Sequence, residues 1–556
     1  MQINIREKFG WKLYKKSNVK FWFNGYLIDD LIIDDLINEL LLLSKNPDID
    51  KLSSWIRNIS GHYAMVAQFS DDSCFLAVDK ICSIPIFDVS DEKRYAVSNY
   101  APFLKSSFNI DDSDLSLRSL LEISMSGFVM GDRTIYHGIN RLTAGECVLW
   151  NVGKRESRFY YTYFPSKGKN REYDILKNQF AEVCFSSVKK LIASVNGRQI
   201  VVPLSAGNDS RLIVSCLKEL SYENVVCFTY GRLGNYEVNT SKMVASVLGY
   251  KWIYVQDKWR EKRNFFKSDV YDLYIKTFES FASVPNIQDV YEVYTLKSLK
   301  IIDSDAVFVN GNSGDFISGG HISKLINLEE KFTTKNKDKW KLFLDKHYSI
   351  WGKLRNDFND NIIISELSKI MSKRYSSKSQ KEMMSYAVFE SMECIGRQSR
   401  LVNNQQRAYE FIGHEWRLPL WSEDFLNFWE KIDPKYKVDQ KLYKDVLLEN
   451  DWAGVWRNVE VNNKLIRPQS LRFFRLFIKI LVAPLGKSSW HSIEKNMFVY
   501  WLHPSYARSV TSYLSVLFDF RGQRNTNSWT ADQLIKKNGF SNGVTGLSDK
   551  IRSRTL

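Results

Sequence analysis

The chain has 556 residues, 44% of them hydrophobic and 14% aromatic, with 11 prolines and 27 glycines. Such a chain is neither a single small module nor a disordered or collagen-like one, and at roughly one domain per 100–200 residues it has room for several cores. Lys and Arg outnumber Asp and Glu by 78 to 63, a formal charge of +15. That balance admits nucleic acid, anionic lipid or phosphorylated metabolites and selects none of them. No arginine-rich run, zinc-ligand spacing or RNA-binding aromatic signature accompanies the charge, so no nucleic-acid partner is expected.

The seven cysteines (Cys74, Cys82, Cys147, Cys184, Cys216, Cys227 and Cys394) are scattered and never in C-x-x-C spacing. This argues against a disulfide framework or zinc site and suits a reducing cytosol. The opening MQINIREKFGWKLYKK lacks the apolar centre of a signal peptide, and no uncharged apolar stretch is long enough to span a bilayer. The expected location is cytoplasmic.

Residues 1–165 read as mostly β. Runs such as VKFWFNGYLI, GHYAMVAQFSDDSCFLAVDK, RYAVSN and ECVLWNV are rich in β-branched and aromatic residues and separated by turn signals. Helical patterns intervene at 34–43 and 115–125, the second with Ser113 as its expected cap. Residues 166–175 are polar and predict a linker. Beyond them amphipathic helices alternate with short apolar strands (QIVVPL, NVVCFTY, KWIYV, AVFVNG), the pattern of a parallel sheet covered by helices. Residues 330–450 predict helix almost throughout, and the last hundred residues are helical with basic stretches.

The segment QIVVPLSAGNDSRLIVSCLKEL combines a buried strand at 199–204, a small-residue loop at 205–209 and a helix at 210–220. A strand running through a small loop into a helix start makes an anion site, because unpaired N–H groups and the positive helix end both face the loop. Small side chains at Ser205, Ala206 and Gly207 let backbone close around phosphate, Ser205 and Ser210 add hydroxyls, and Asp209 suits a magnesium ion. No G-K-[ST] follows, so this is not a Walker loop. It resembles the S-G-G-x-D-S pyrophosphate loop of ATP pyrophosphatases, with Ala206 at the first glycine; an ordinary strand–helix turn is the alternative. A second apolar strand at 306–309 leads into Asn310-Gly311-Asn312-Ser313-Gly314-Asp315, again glycine-rich with one acid, as the switch-point crevice of a doubly wound sheet requires.

The two loops together resemble the asparagine synthetase family, whose S-G-x-G-x-D-E motif the second loop approaches. The resemblance extends to Gly61-His62-Tyr63-Ala64, LAVDKICSIP, AVSN and RLTAGECVL in the N-terminal part, and to Gly413-His414-Glu415-Trp416-Arg417-Leu418-Pro419 further on. It implies an α/β chain in two parts. Residues 1–165 would form an Ntn-hydrolase-like β-rich sandwich (α+β), and 176–465 a doubly wound ATP pyrophosphatase domain with a large helical extension. Residues 466–556 have no counterpart in that resemblance and read from their own pattern as a helical, basic C-terminal extension.

The implied activity is AMP-forming amide synthesis from ATP, with a small-molecule carboxylate as acceptor and ammonia or an amine as donor. Asp209 and Asp315 would hold Mg²⁺. Residues 205–210 (Ser205, Ala206, Gly207, Asn208, Asp209, Ser210) would cradle the phosphates. Leu204, Tyr230, Asn310 and Gly311 match positions that hold adenosine.

Three departures qualify the resemblance. Position 2 is Gln rather than the family's nucleophilic cysteine, so the N-terminal domain is expected to be a degenerate glutaminase. Asn312 and Phe316 replace acids of the family motif. Val459 falls where the family carries a lysine; Lys464 is the nearest replacement and Lys441 the next.

Ser283, Asn286, Gln288 and Asp289 lie in the region that lines the family's acceptor pocket, although a capped helix start explains them equally well. Glu415 either positions substrate or forms an ion pair with Arg417. His321 and His414, each beside a matched motif, read as structural histidines. Residues 471–481 (LRFFRLFIKIL) carry a broad apolar face with a basic stripe. They form either a helix docked on the synthetase half or one lying on an anionic membrane. Rival functions are a β-lactam- or lasso-peptide-type cyclase on the same loops and a nucleotide-binding pseudoenzyme. A tRNA-thiolating activity is not expected, since Cys216 and Cys227 fall on a helix and a buried strand.

Overall fold

The computed structural model describes every residue except 30, 93, 169–170, 232–234, 334–336, 377, 379–382, 458, 460–468, 503–510, 523–524 and 556. The N-terminal 160 residues build two sheets. One has the order β1 (Gln2–Asn4), β7 (Tyr95–Ser98), β6 (Phe87–Ser90), β8 (Ile139–Arg141). The other has the order β10 (Lys154–Phe159), β9 (Glu146–Asn151), β5 (Ser73–Val78), β4 (Gly61–Ser70), β3 (Val19–Leu27), β2 (Lys12–Lys16).

Both faces of the larger sheet are covered, and the two-residue period of its strands divides their side chains between two cores. Phe21, Phe23, Met65 and Phe75 pack under helices α1 (Ile33–Leu43) and α2 (Ile49–Arg57). Trp22, Ala64, Val66 and Leu76 join the core that holds Phe87, Val89, Ala96 and Val97 of the smaller sheet. That smaller sheet is covered in turn by α3 (Ala101–Ser107). The layers therefore run helix, sheet, sheet, helix.

Two helices here, α2 and α3, were not expected from the sequence. The helix expected at 115–125 is α4 (Leu117–Ser126), and Ser116 rather than Ser113 caps it by accepting from the Ser119 N–H. Ser113 belongs to the preceding turn, where its N–H is held by Asp111.

After α5 (Tyr173–Val195), the four expected apolar strands form β11 (Ile200–Pro203), β12 (Val225–Gly231), β13 (Lys251–Gln256) and β14 (Val307–Val309), joined by β15 (Glu415–Arg417). All pairings are parallel, in the order β13-β12-β11-β14-β15. The chain moves outward from β11 to β13 and then returns to place β14 on the other side of β11. Loops leaving β11 and β14 thus diverge at the point where the strand order reverses, the crevice in which open α/β sheets bind ligands. Helices α5, α6 (Asn208–Glu219) and α7 (Tyr236–Leu248) stack on one another against this sheet, while Val290–Ser298 and Gln406–Phe411 pair near its opposite edges.

One apolar core runs from the smaller N-terminal sheet through the parallel sheet into the helices beyond 330. Polar contacts cross the same boundary. The Leu418 N–H, just past β15, donates to the Tyr26 hydroxyl (3.0 Å), which also pairs with His62 Nδ1 (2.6 Å). All seven cysteines are buried. Among the described residues no helix is long and apolar enough to cross a membrane.

Removing the Tyr26 hydroxyl strands a buried N–H group. Tyr26→Phe is therefore expected to lower stability by about 1–3 kcal/mol in chemical denaturation. An unchanged denaturation midpoint would contradict this joint between the two parts.

Candidate active site

Strand β11 is apolar throughout and buried up to half-exposed Pro203, and it delivers the chain to the crevice at Leu204. Leu204 is locked to the neighbouring strand by its N–H on the Phe228 carbonyl (2.9 Å) and its own carbonyl under the Thr229 hydroxyl (2.6 Å). The following loop closes on its hydroxyls. Ser205 N–H donates to Ser210 Oγ (3.1 Å), and Gly207 N–H donates to Ser205 Oγ (3.1 Å). Helix α6 begins at Asn208, two residues earlier than the sequence suggests, so Asp209 and Ser210 lie in its first turn. No side chain caps it, which leaves its N-terminal backbone donors available to an anion. Buried Arg211 braces the loop from behind, donating to the Ala206 carbonyl (2.9 Å) with its guanidinium over the Trp456 ring.

The second loop meets the first at two glycines. A Cβ on Gly311 would come within 2.8 Å of the Asp209 backbone, and one on Gly314 within 2.6 Å of Asp209 Cγ. This close approach lets the Asp315 N–H donate to Asp209 Oδ2 (2.9 Å), while Tyr443 donates its hydroxyl to Oδ1 (2.9 Å). The crevice around them has a volume of about 930 Å³. It is lined by all of 204–210, by Tyr230, Asn310 and Gly311, and by Asn286, Gln288 and Asp289.

Burial, reinforced by the charge of Asp315, pushes the Asp209 carboxyl far above its ordinary value. Burial also works against Asp315, but its hydrogen bond and attraction to His321 outweigh that and hold it below the ordinary value. His321 is clamped between Asp315 (Nε2 to Oδ2, 3.2 Å) and Glu393 at Nδ1. Burial disfavours its charge, yet the two carboxylates raise it to about 9, so it is an imidazolium at neutral pH. Glu393 is itself buried and also takes Lys346 and His347 (both 3.1 Å). Arg397 lines the crevice beside this cluster.

Not every residue singled out in the sequence reaches the crevice. Ser283 is buried against the N-terminal part, with its backbone bridged to Phe128 and its hydroxyl accepting from Asn404 (2.7 Å). Glu415 pairs with Val307 at the start of β14, the end of the sheet opposite the crevice. There it binds Arg198 (3.1 Å) and Arg417 (3.0 Å) as an ion pair, not as a substrate contact. Lys441 is exposed and covers the Tyr173 ring, and Lys464 lies outside the described residues. Asp289 forms the crevice floor, its carboxylate accepting from Tyr409 (3.1 Å) and Gln405.

The residues missed from sequence are His321 (set aside there as structural), Glu393, Arg397 and Tyr443. All but His321 come from segments remote from both loops. His321 sits six residues past Asp315, and that spacing was the one available signal.

No family model matches the chain, and no curated protein matches it. Among solved structures it is similar to an NH3-dependent NAD synthetase from Campylobacter jejuni in complex with the nitrate ion, at 13% identity over 38% of this chain and 98% of that one, with a TM-score of 0.19. At that score the likeness carries no weight for the site.

A methyl group at position 314 must displace Asp209 or Leu420, whose Cδ1 is equally close at 2.6 Å. Gly314→Ala is expected to lower stability by about 1–3 kcal/mol in chemical denaturation, as overpacking of a filled site does. An unchanged denaturation midpoint for Gly314→Ala would contradict the packing of the loops.

Proposed function

We propose that the chain is an ATP-dependent, AMP-forming carbon–nitrogen ligase of the asparagine synthetase kind. The observation that carries this reading is the meeting of Asp209 and Asp315 over the uncapped start of α6, in one crevice at the switch point of a parallel sheet.

The crevice residues suit a magnesium ion. Mg²⁺ takes hard oxygen ligands and is commonly held by one or two carboxylates together with substrate phosphates and water. The buried Asp209 carboxylate is also costly to ionise without a nearby cation. When bound, the ion would offset charge building on the departing pyrophosphate.

The chain's own groups then have distinct tasks. The first-turn N–H groups of α6 and the hydroxyls of Ser205 and Ser210 bind the leaving β- and γ-phosphates. Tyr443 fixes the rotamer of Asp209, and His321 fixes that of Asp315. Leu204, Tyr230 and Asn310 flank the nucleoside. A carboxylate oxygen of the acceptor attacks the α-phosphorus, the bond to pyrophosphate breaks, and an acyl adenylate forms. Ammonia or an amine next attacks the acyl carbon, the bond to AMP breaks, and the surplus nitrogen proton is lost to solvent. Neutral polar side chains at Asn286, Gln288, Asn312 and Gln405 line the acceptor side and suit a hydroxylated carboxylate such as a sugar acid. The helix–sheet–sheet–helix layering supports an amidohydrolase-like origin for residues 1–165.

A second reading, a nucleotide-binding chain without turnover, is favoured by Val459. Its side chain is buried, so no cation stands at that position.

ATP–pyrophosphate exchange with a panel of amino acids and uronic-acid sugars separates the two. The ligase reading predicts exchange with at least one acceptor. Asp209→Asn or Asp315→Asn should each slow it by about 100- to 1,000-fold with the fold intact. Binding of ATP with no exchange across the panel would favour the second reading.

A further inference from the structure

The helix Gln469–Val482 turns only part of its apolar surface inward. Leu471, Ile478 and Val482 pack on the helix Gly486–Leu502, around Trp490 and Phe498. Among the described residues this small cluster is separate from the main core.

The opposite side carries Phe473, Leu476, Phe477, Ile480 and Leu481, spaced three or four residues apart along one stripe. All five face solvent, Phe473 at 74% and Ile480 at 63% exposure. Among the described residues, every exposed phenylalanine except Phe358 lies between 473 and 520. A contiguous apolar stripe of this kind marks an interaction surface.

Charge identifies the partner. Arg472 and Lys479 are exposed along one border of the stripe, and Arg475 between them is tied to Glu494. The helices Gln469–Val482 and Gly486–Leu502 carry Arg472, Arg475, Lys479, Lys487 and Lys495 in sequence against the single acid Glu494. A second copy of the chain would bring the same positive charge to the contact and be repelled. An anionic lipid surface attracts it, accepts the phenylalanines below the headgroups, and lets the Arg and Lys heads reach lipid phosphates.

We propose that Gln469–Val482 is a membrane-surface helix that seats the protein on anionic lipid, with the stripe from Phe473 to Leu481 buried at the headgroup boundary. The inference rests on this helix alone and is independent of the ligase reading.

The test is flotation of the full chain with vesicles of phosphatidylcholine containing about 30 mol% phosphatidylglycerol, against phosphatidylcholine alone. The protein should float with the anionic vesicles, much less with the neutral ones, and less as salt rises. The combined variant Phe473→Ser, Phe477→Ser, Ile480→Ser alters only exposed positions, so its fold is retained. Its partitioning should fall at least about tenfold. Arg472→Glu with Lys479→Glu should abolish the preference for anionic vesicles. Failure of the wild type to float, or undiminished flotation of the serine variant, would overturn the proposal. So would a concentration-dependent dimer in size-exclusion chromatography that the serine variant dissolves, since it would assign the stripe to a second copy.

Discussion

The backbone N–H of Asp315 pointing at the carboxylate of Asp209 is the contact on which the crevice depends. It joins two loops that are 106 residues apart in sequence and leave neighbouring strands at the place where the sheet order reverses. Gly311 and Gly314 make it geometrically possible, because the space that a Cβ would need is already filled by Asp209. With the loops in register, two carboxylates, an uncapped helix start and two serine hydroxyls converge on one volume. Without that register each loop would be an ordinary connection.

Such convergence is electrostatically expensive, and the surrounding shell shows how the protein offsets it. An enclosed acid and a second, half-exposed acid at close quarters disfavour each other's charge. His321 sits against one of them as a cation, and Glu393 holds His321 in place while binding the Lys346 ammonium and the buried His347 ring. The residual strain falls on Asp209, whose carboxyl is pushed upward by burial and by Asp315. The magnesium ion proposed for this site would relieve both effects at once.

Much of this was legible in the sequence, for identifiable reasons. Strands β11, β12 and β14 are largely buried on both faces and so read as continuous apolar runs, and β13, half-exposed at the sheet edge, keeps an apolar centre. The acids stand out because small residues surround them. Other features left no local trace. Strands β1 and β2 are short and polar, and KLYKK is paired on one side only. Helix α6 lacks the capping side chain by which a start is recognised, so its first turn lies two residues before the start that the sequence suggests. Ser283 lies close in sequence to Asn286 and Gln288 yet turns toward Phe128, since proximity along an irregular segment does not fix which way a side chain faces. Glu415 is next to Trp416 and Arg417 in a matched motif, but parallel pairing puts it at the wrong end of its strand. Tyr443, Arg397 and Glu393 could be found only once the helices beyond 330 were seen packed against the crevice.

The central claim is that both loops grip one metal–nucleotide complex. Crystals grown with manganese and a non-hydrolysable ATP analogue test it directly, through the anomalous signal of the metal. The account predicts a manganese peak between the carboxylates of Asp209 and Asp315, with the phosphates over residues 205–210. A nucleotide bound elsewhere, or a metal that touches neither carboxylate, would contradict it.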